Sequence, residues 1–277
     1  MLSIPCPENP GEETYREQAT HTRNRNLRQA LLAECANVGA RTTEYLRSAQ
    51  IEELYTLRPQ NFGEIAPEMA NVYGRVLVRG SGRPLYNKIK GRAKFARCPF
   101  CGQRDVKTID HYLPKQQFPE FSVFPANLVP CCSDCNKTKG EYLAARHEDQ
   151  LLHPYFDDWT MHRLLKADVF VGDKVDVTFE VLPAPGVPPE LLARAHKHFA
   201  VLELGPLYAT GAAVELVENK DNFRRNFQMG ADALREELLY IAESRQRGNL
   251  NSWRAALYRG LAGSDAFCEG GFELIEE

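Results

Sequence analysis

The chain has 277 residues, 43% hydrophobic and 26% charged, which is the make-up of a folded protein of one large or two modest domains and excludes a disordered or fibrous one. No apolar run approaches the roughly 18 residues that span a bilayer, and Met1-Leu2-Ser3-Ile4-Pro5 lacks the basic start and apolar core of a signal peptide. A cytoplasmic chain with reduced thiols is expected, with no membrane partner. The formal net charge is −3, unevenly spread: residues 75–107 carry ten Lys/Arg against Asp105 alone, +9, which leaves −12 on the rest.

In chain order, residues 1–20 are rich in Pro, Gly and Glu and read as a loose arm. Leu27, Ala30, Leu31 and Cys35 fall at helical spacing between Arg23 and Cys35. A short helix around Ile51, Leu54 and Leu57 must stop before Pro59. Ile65, Met69, Val72, Tyr73 and Val76 make another helical stripe, with Pro67 tolerated in its first turn and Gly80-Ser81-Gly82 breaking it. These stripes read as core. The basic run then enters a cysteine-rich region, so it reads as a phosphate-binding surface, with Lys88, Lys90, Arg92, Lys94 and Arg97 as nucleic-acid contacts.

That region holds two Cys-x-x-Cys pairs, Cys98/Cys101 and Cys132/Cys135. Each brings two thiolates to one side of a tight turn, and four thiolates suit a closed structural Zn²⁺ site. Cys131 adjoins Cys132, but a Cys131/Cys135 pair makes a poorer knuckle. Cys6, Cys35 and Cys268 read as ordinary reduced thiols. The 30 residues between Cys101 and Cys132 exceed a zinc-ribbon gap, so polar residues are inserted between the knuckles: Asp110-His111 and Asn127. Val106 to Leu113 reads as a strand, Asn127-Leu128-Val129 as a second, and Asn136 to about Arg146 as a helix capped by Ser133 or Asp134. Beyond Trp159, residues 169–171 and 175–181 predict a hairpin around Gly172-Asp173. Pro183 to Pro189 reads as a linker. Helices are then expected over Leu191–Leu202, in a long stretch carrying Phe227, Leu234, Leu238 and Ile241, and around Trp253, Leu257 and Leu261.

Asp110-His111, Asn127 and Cys132-x-x-Cys135-Asn136-x-x-Lys139 together resemble the HNH endonuclease motif, the ββα-metal fold in its zinc-stapled form, with Asn136 in place of the last His. The runs Asp110 to Lys115, Phe118 to Ser122 and Asn127 to Pro130 resemble more closely an HNH group that accompanies ATPases in bacterial antiphage systems such as Septu and some retrons. Phosphodiester hydrolysis needs an in-line water, a base and positive charge on the transition state. His111, titrating near neutrality, is the natural base. The resemblance implies that Asp110 and Asn136 hold one divalent cation, Mg²⁺ or a similar hard ion. It also implies that Asn127 hydrogen-bonds near His111 and orients its ring. Lys139, one turn beyond Asn136, is expected on a flanking phosphate.

The expected architecture is therefore α+β, a central zinc-stapled ββα-metal unit in a mostly helical shell. Its regions are 1–84 (N-terminal helical), 85–160 (nuclease core with basic lead-in) and 161–277 (hairpin plus helices). The implied function is a metal-dependent endonuclease acting on DNA in preference to RNA, the effector of an antiphage system with a companion ATPase. Trp253, Leu257 and Tyr258 mark the expected partner surface, although each alone reads as core. His153 reads as packing against the ββα unit. The rival reading is a non-catalytic zinc-finger adaptor for nucleic acid or the ATPase, which the intact Asp110, His111 and Asn136 disfavour.

Overall fold

Tyr15, Gln18 and Ala19 recur one helical turn apart, and residues Gly11–Thr20 form α1 with those three buried. The expected loose arm is thus packed structure. Its Pro/Gly/Glu composition conceals the short apolar face, and Leu2 N–H donates to Pro99 O at 2.8 Å, laying the first residues along the first knuckle. The chain is described from a computed structural model over residues 1–182 and 185–276. Pro183 and Ala184, the start of the expected linker, lie outside the described residues. The fold is mixed α+β, divided into Met1–Asp157 and Asp158–Glu277. The stretches 1–84 and 85–160 both fall, up to Asp157, in the first unit.

In that first unit α2 (Arg25–Ala33) starts at Asn24, whose side chain accepts from Leu27 N–H. It is followed at once by α3 (Cys35–Gln50). The α3 stripe of Val38, Thr42, Tyr45 and Ala49 escapes a purely apolar pattern search because one of its members is a threonine. A 3-10 turn over Leu54–Thr56 stands where the short helix is expected. The next stripe becomes α4 (Ala66–Val72), which widens into a π-helical turn over Tyr73–Val78. Such turns carry one residue beyond the α-helical path and are common beside functional sites. The turn lets adjacent Val76 and Leu77 face different cores. Val76 joins Tyr15, Leu31 and Val38, whereas Leu77 joins Ile89, Ile109 and Leu128. Then comes α5 (Arg83–Lys90), with a proline in its first turn where the missing N–H costs nothing.

Two short strands, β1 (Thr108–His111) and β2 (Leu128–Cys131), pair antiparallel, with Asp110 opposite Val129 and His111 opposite Leu128. The helix α6 (Ser133–Lys139) comes directly after β2. It stops at Lys139 rather than near Arg146 because Gly140 takes a left-handed φ of 51° and its amide closes on Asn136 O at 3.0 Å. The cap is the Cys132 sulfur, which accepts from Cys135 N–H, and not Ser133 or Asp134.

The loop between the strands is lined with buried Phe118, Phe121, Val123 and Phe124 and carries a fully buried Glu120. Arg41 from α3 meets Glu120 at 3.0 Å, although burial still pushes the Glu120 carboxyl above its ordinary range.

The second unit is built on the expected hairpin, β3 (Leu165–Val171) and β4 (Val175–Val181), with Leu165 opposite Val181 and Val171 opposite Val175; β3 begins at Leu165, four residues before the expected 169–171. Its helices are α7 (Pro189–Val201), α8 (Leu204–Phe227), α9 (Ala231–Gln246), α10 (Trp253–Gly263) and α11 (Asp265–Cys268). The expected long helix is two, because Gly230 adopts φ 106° between them. Trp253, Leu257 and Tyr258 are buried in α10, and the Tyr258 hydroxyl donates to Glu215 at 3.0 Å, so these side chains are core and not an exposed docking surface. No single helix among the described residues is long and apolar enough to cross a membrane.

Removing one partner of the Arg41–Glu120 pair leaves a carboxylate buried alone. Arg41→Ala is expected to cost about 3 kcal/mol at pH 7.5. Burial raises the Glu120 pKa, so the penalty is present above that pKa and fades as pH falls through it and the group protonates. Thermal melts of wild type and variant at pH 7.5 and 5 should therefore converge; an equal gap at both would show that Arg41 acts by packing alone.

Candidate functional site

The first knuckle turns at Gly102, with φ 66°, and the Arg104 amide reaches back to Cys101 Sγ at 3.5 Å; in the second, the Cys135 amide reaches Cys132 Sγ at 3.3 Å. Amides aimed at sulfur favour the thiolate. The ligand atoms of Cys98, Cys101, Cys132 and Cys135 lie within 4.8 Å of one another and all four residues are buried. A tetrahedron with Zn–S of about 2.3 Å has edges of about 3.8 Å, so the set fits such an ion closely. Burial raises the Cys98 thiol, while hydrogen bonds from the other three cysteines lower Cys101. A divalent ion would neutralise all four. Cys131 stands outside the cluster, its sulfur 3.8 Å from Asn136 Nδ2.

The clamp sets β1 and α6 side by side. Strand alternation alone would set Asp110 and His111 on opposite faces, yet they share neighbours: Lys139 reaches both, and Tyr73, packed on His111, also feels the Asp110 charge. His111 Nε2 lies 2.8 Å from the Ser122 carbonyl, which only an N–H can approach, so the proton sits there and Nδ1 carries the lone pair, with no hydrogen bond to it among the described residues. Tyr73 packs edge-on against the imidazole, centroids 4.4 Å apart, and its hydroxyl donates to Ile109 O at 3.1 Å. The expected titration near neutrality is not what the site gives: burial lowers the His111 pKa to about 3, against the pull of the Ser122 bond, so the ring is neutral across the ordinary pH range.

Asp110 is 7% exposed and burial raises its carboxyl pKa. Its Oδ2 has the Lys139 ammonium 3.0 Å away as an ion pair, without the alignment of a hydrogen bond. Lys139 also donates to His111 O at 2.8 Å. Asn136 donates through Nδ2 to Ile109 O at 3.3 Å, beside Asp110, and its Oδ1 accepts no hydrogen bond among the described residues. A buried carboxylate, held by the His111 amide and Lys139, and an amide oxygen beside the same strand are the oxygen donors a hard cation takes.

One expected role changes, that of Lys139. Asn127 hydrogen-bonds in the neighbourhood of His111, to the backbone of Tyr112 and Leu113, and acts on the ring at one remove. It is fully buried, accepting from Leu113 N–H at 2.8 Å and donating to Leu113 O at 3.0 Å, and so pins the loop whose Ser122 carbonyl orients the ring. Lys139, at 3% exposure, is spent on Asp110 and His111 and offers nothing to a flanking phosphate. Of the basic lead-in, Lys88 and Lys94 are exposed and Lys90 half-buried, none in an ion pair among the described residues. Arg92 instead holds the carbonyls of Pro5 and Cys6, and Arg97 holds Gln103 O and Asp105. His153 packs behind the hairpin, 3.1 Å from the Tyr45 hydroxyl and 4.1 Å between centroids from Tyr112. Tyr73 and Ser122 are not legible as site residues in the sequence: the first sits in a core stripe, and the second contributes a backbone atom.

No family model and no solved structure matches the chain. It is similar to the Escherichia phage lambda protein called Protein ea31, 31% identical over 191 residues, which is 63% of this chain. The chain spans 64% of the length of that relative.

One tightly held zinc per chain is expected by elemental analysis, and Cys98→Ser or Cys135→Ser should lower melting temperature and solubility; well-folded protein free of metal would refute the cluster as a metal site. Asn127→Ala strands the Leu113 amide and carbonyl and should cost about 1–3 kcal/mol in denaturant unfolding, with metal content unchanged.

Proposed function

We propose that the chain is an HNH-type endonuclease whose zinc-clamped β1–β2–α6 element hydrolyses phosphodiester bonds, DNA in preference to RNA. The observation that carries this reading is the fixed tautomer of His111: with its Nε2–H committed to Ser122, Nδ1 is available to take a proton from water. A base must be neutral to act, and burial keeps it so. The arriving phosphodiester, being negative, raises the proton affinity of the ring when it is needed. Tyr73 stops the imidazole from tilting. Asp110 and the Asn136 Oδ1 would hold a divalent cation, whose Lewis acidity supplies stabilisation of the developing charge and leaving oxygen. Lys139 neutralises Asp110 from the inner side and holds the β1 backbone through His111 O. Lys88, Lys90 and Lys94, outside any ion pair among the described residues on the stretch before the first knuckle, suit backbone phosphates.

The companion ATPase and the antiphage role rest on the same resemblance, and the similarity to a phage lambda protein adds that a relative is phage-encoded. A second reading, the non-catalytic zinc adaptor, draws on one observation: Asp110 already has a counter-ion in Lys139.

Plasmid nicking with added Mg²⁺ separates the two. The wild type should nick. His111→Ala should lose on the order of 10²–10⁴-fold in rate while keeping its zinc, with a lower melting temperature from the stranded Ser122 carbonyl and the lost Tyr73 contact. Full activity in that variant would remove His111 from the chemistry, and an inert wild type would favour the adaptor.

A further inference from the structure

Just before the first knuckle the backbone does something unusual. Phe95 and Ala96 both take φ 55°, side by side, in the left-handed region that residues with a β-carbon avoid. Neither is glycine, so the conformation is imposed from outside. The restraints are visible: Ala96 N–H bonds to Ala93 O at 3.0 Å, Arg97 N–H to Lys94 O at 3.0 Å, and Val106 N–H to Ala96 O at 2.8 Å, the last tying the turn to the far arm of the knuckle. The result is that the Phe95 ring stands in solvent at 83% exposure, the most exposed large apolar side chain among the described residues. Its ring contact is the Lys94 ammonium, 5.5 Å from the centroid.

An aromatic ring held out by a strained turn and flanked by cations has little to contribute to folding. Lys88, Lys90 and Lys94, none in an ion pair among the described residues, share its stretch of chain, and Asp105, the acid within residues 75–107, is taken by Arg97. Charge alone would attract any polyanion. The ring adds a flat apolar face among the phosphate-attracting groups, and the ligand with both features is a nucleic-acid strand with a base out of its stack.

We propose that Phe95 is a base-stacking site, taking the face of an unpaired nucleobase while Lys88, Lys90 and Lys94 hold the adjoining phosphates. This rests on the nuclease reading and deepens it: the strand being engaged is single-stranded or locally opened, and regular duplex is the poorer ligand. The ring anchors the strand without touching the reacting atoms, so it is a positioning residue.

The test is fluorescence anisotropy of the full-length protein, without added Mg²⁺, on a fluorescein-labelled single strand of about 20 nucleotides, longer than the site of a single binding fold, and on its duplex. Phe95→Ala should weaken single-strand binding roughly 5- to 150-fold, the span of one lost base–aromatic stack, and leave duplex binding nearly unchanged. Its salt dependence should keep the wild-type slope, because no phosphate contact is lost. Phe95→Trp should restore the affinity. Lys94→Gln should instead flatten the slope on both ligands. Melting temperature should not fall in Phe95→Ala, given the exposure of the ring. If the wild type binds and nicks nucleic acid but Phe95→Ala binds the single strand equally well, the stacking site is wrong and the nuclease reading stands. If the wild type binds neither ligand, both fall.

Discussion

Convergence of four buried cysteine sulfurs is the constraint on which the rest of the first unit depends. Cys98 and Cys101 lie before β1, and Cys132 and Cys135 lie at the junction of β2 and α6. Closing them on one ion ties the entry of the hairpin to the start of the helix, across a hairpin of only four residues per strand. Strands that short, with a seven-residue helix, cannot bury enough surface to hold themselves together. A metal ion held by these four sulfurs would supply that stability and fix the candidate site with it: Asn136 is the next residue after Cys135, and its amide reaches the strand residue beside Asp110.

Around the clamp, backbone carbonyls and buried polar groups do the positioning. The inter-strand loop is pinned by Asn127 to Leu113, by Glu120 to Arg41, and by the Ser122 hydroxyl to Met69 O at 2.8 Å. Its product is one carbonyl, Ser122 O, aimed at His111 Nε2. Each of these groups lacks an alternative partner once dehydrated, so the loop has one low-energy arrangement instead of several. The cost of breaking any of them is correspondingly large, because water cannot reach the stranded atom.

Spacing carried the legible part of this architecture. Cys-x-x-Cys pairs and a strand with Asp110-His111 are local patterns and stand where the sequence puts them, while the helix expected over Asn136 to about Arg146 is Ser133–Lys139. The hairpin of the second unit was equally legible, from strict alternation. Contacts between stretches far apart in the chain could not be read in this way. Lys139 looks like a solvent-facing lysine until its partner Asp110 is placed beside it. Arg92 and Arg97 contribute to a formal +9, yet they are occupied by Pro5, Cys6 and Asp105. Composition misled at residues 1–20, where Pro and Glu surround the short buried face of α1. The break at Gly230 was hidden for the opposite reason, since the apolar rhythm of α8 and α9 runs on across it.

The π-helical turn over Tyr73–Val78 limits how this stretch of the gene can change length. It exists because one residue more than an α-helix needs is accommodated between α4 and the Gly80-Ser81-Gly82 break. Substitutions there can be absorbed if the size of the side chain is kept. Loss of a single codon between Tyr73 and Val78 would remove that extra residue and let the turn close to an α-helix, with the chain beyond it still in phase. Loss of a second codon would rotate everything beyond it by about 100°, away from the cores that Val76 and Leu77 serve. Among descendants of this sequence the segment should therefore tolerate one deletion and not two.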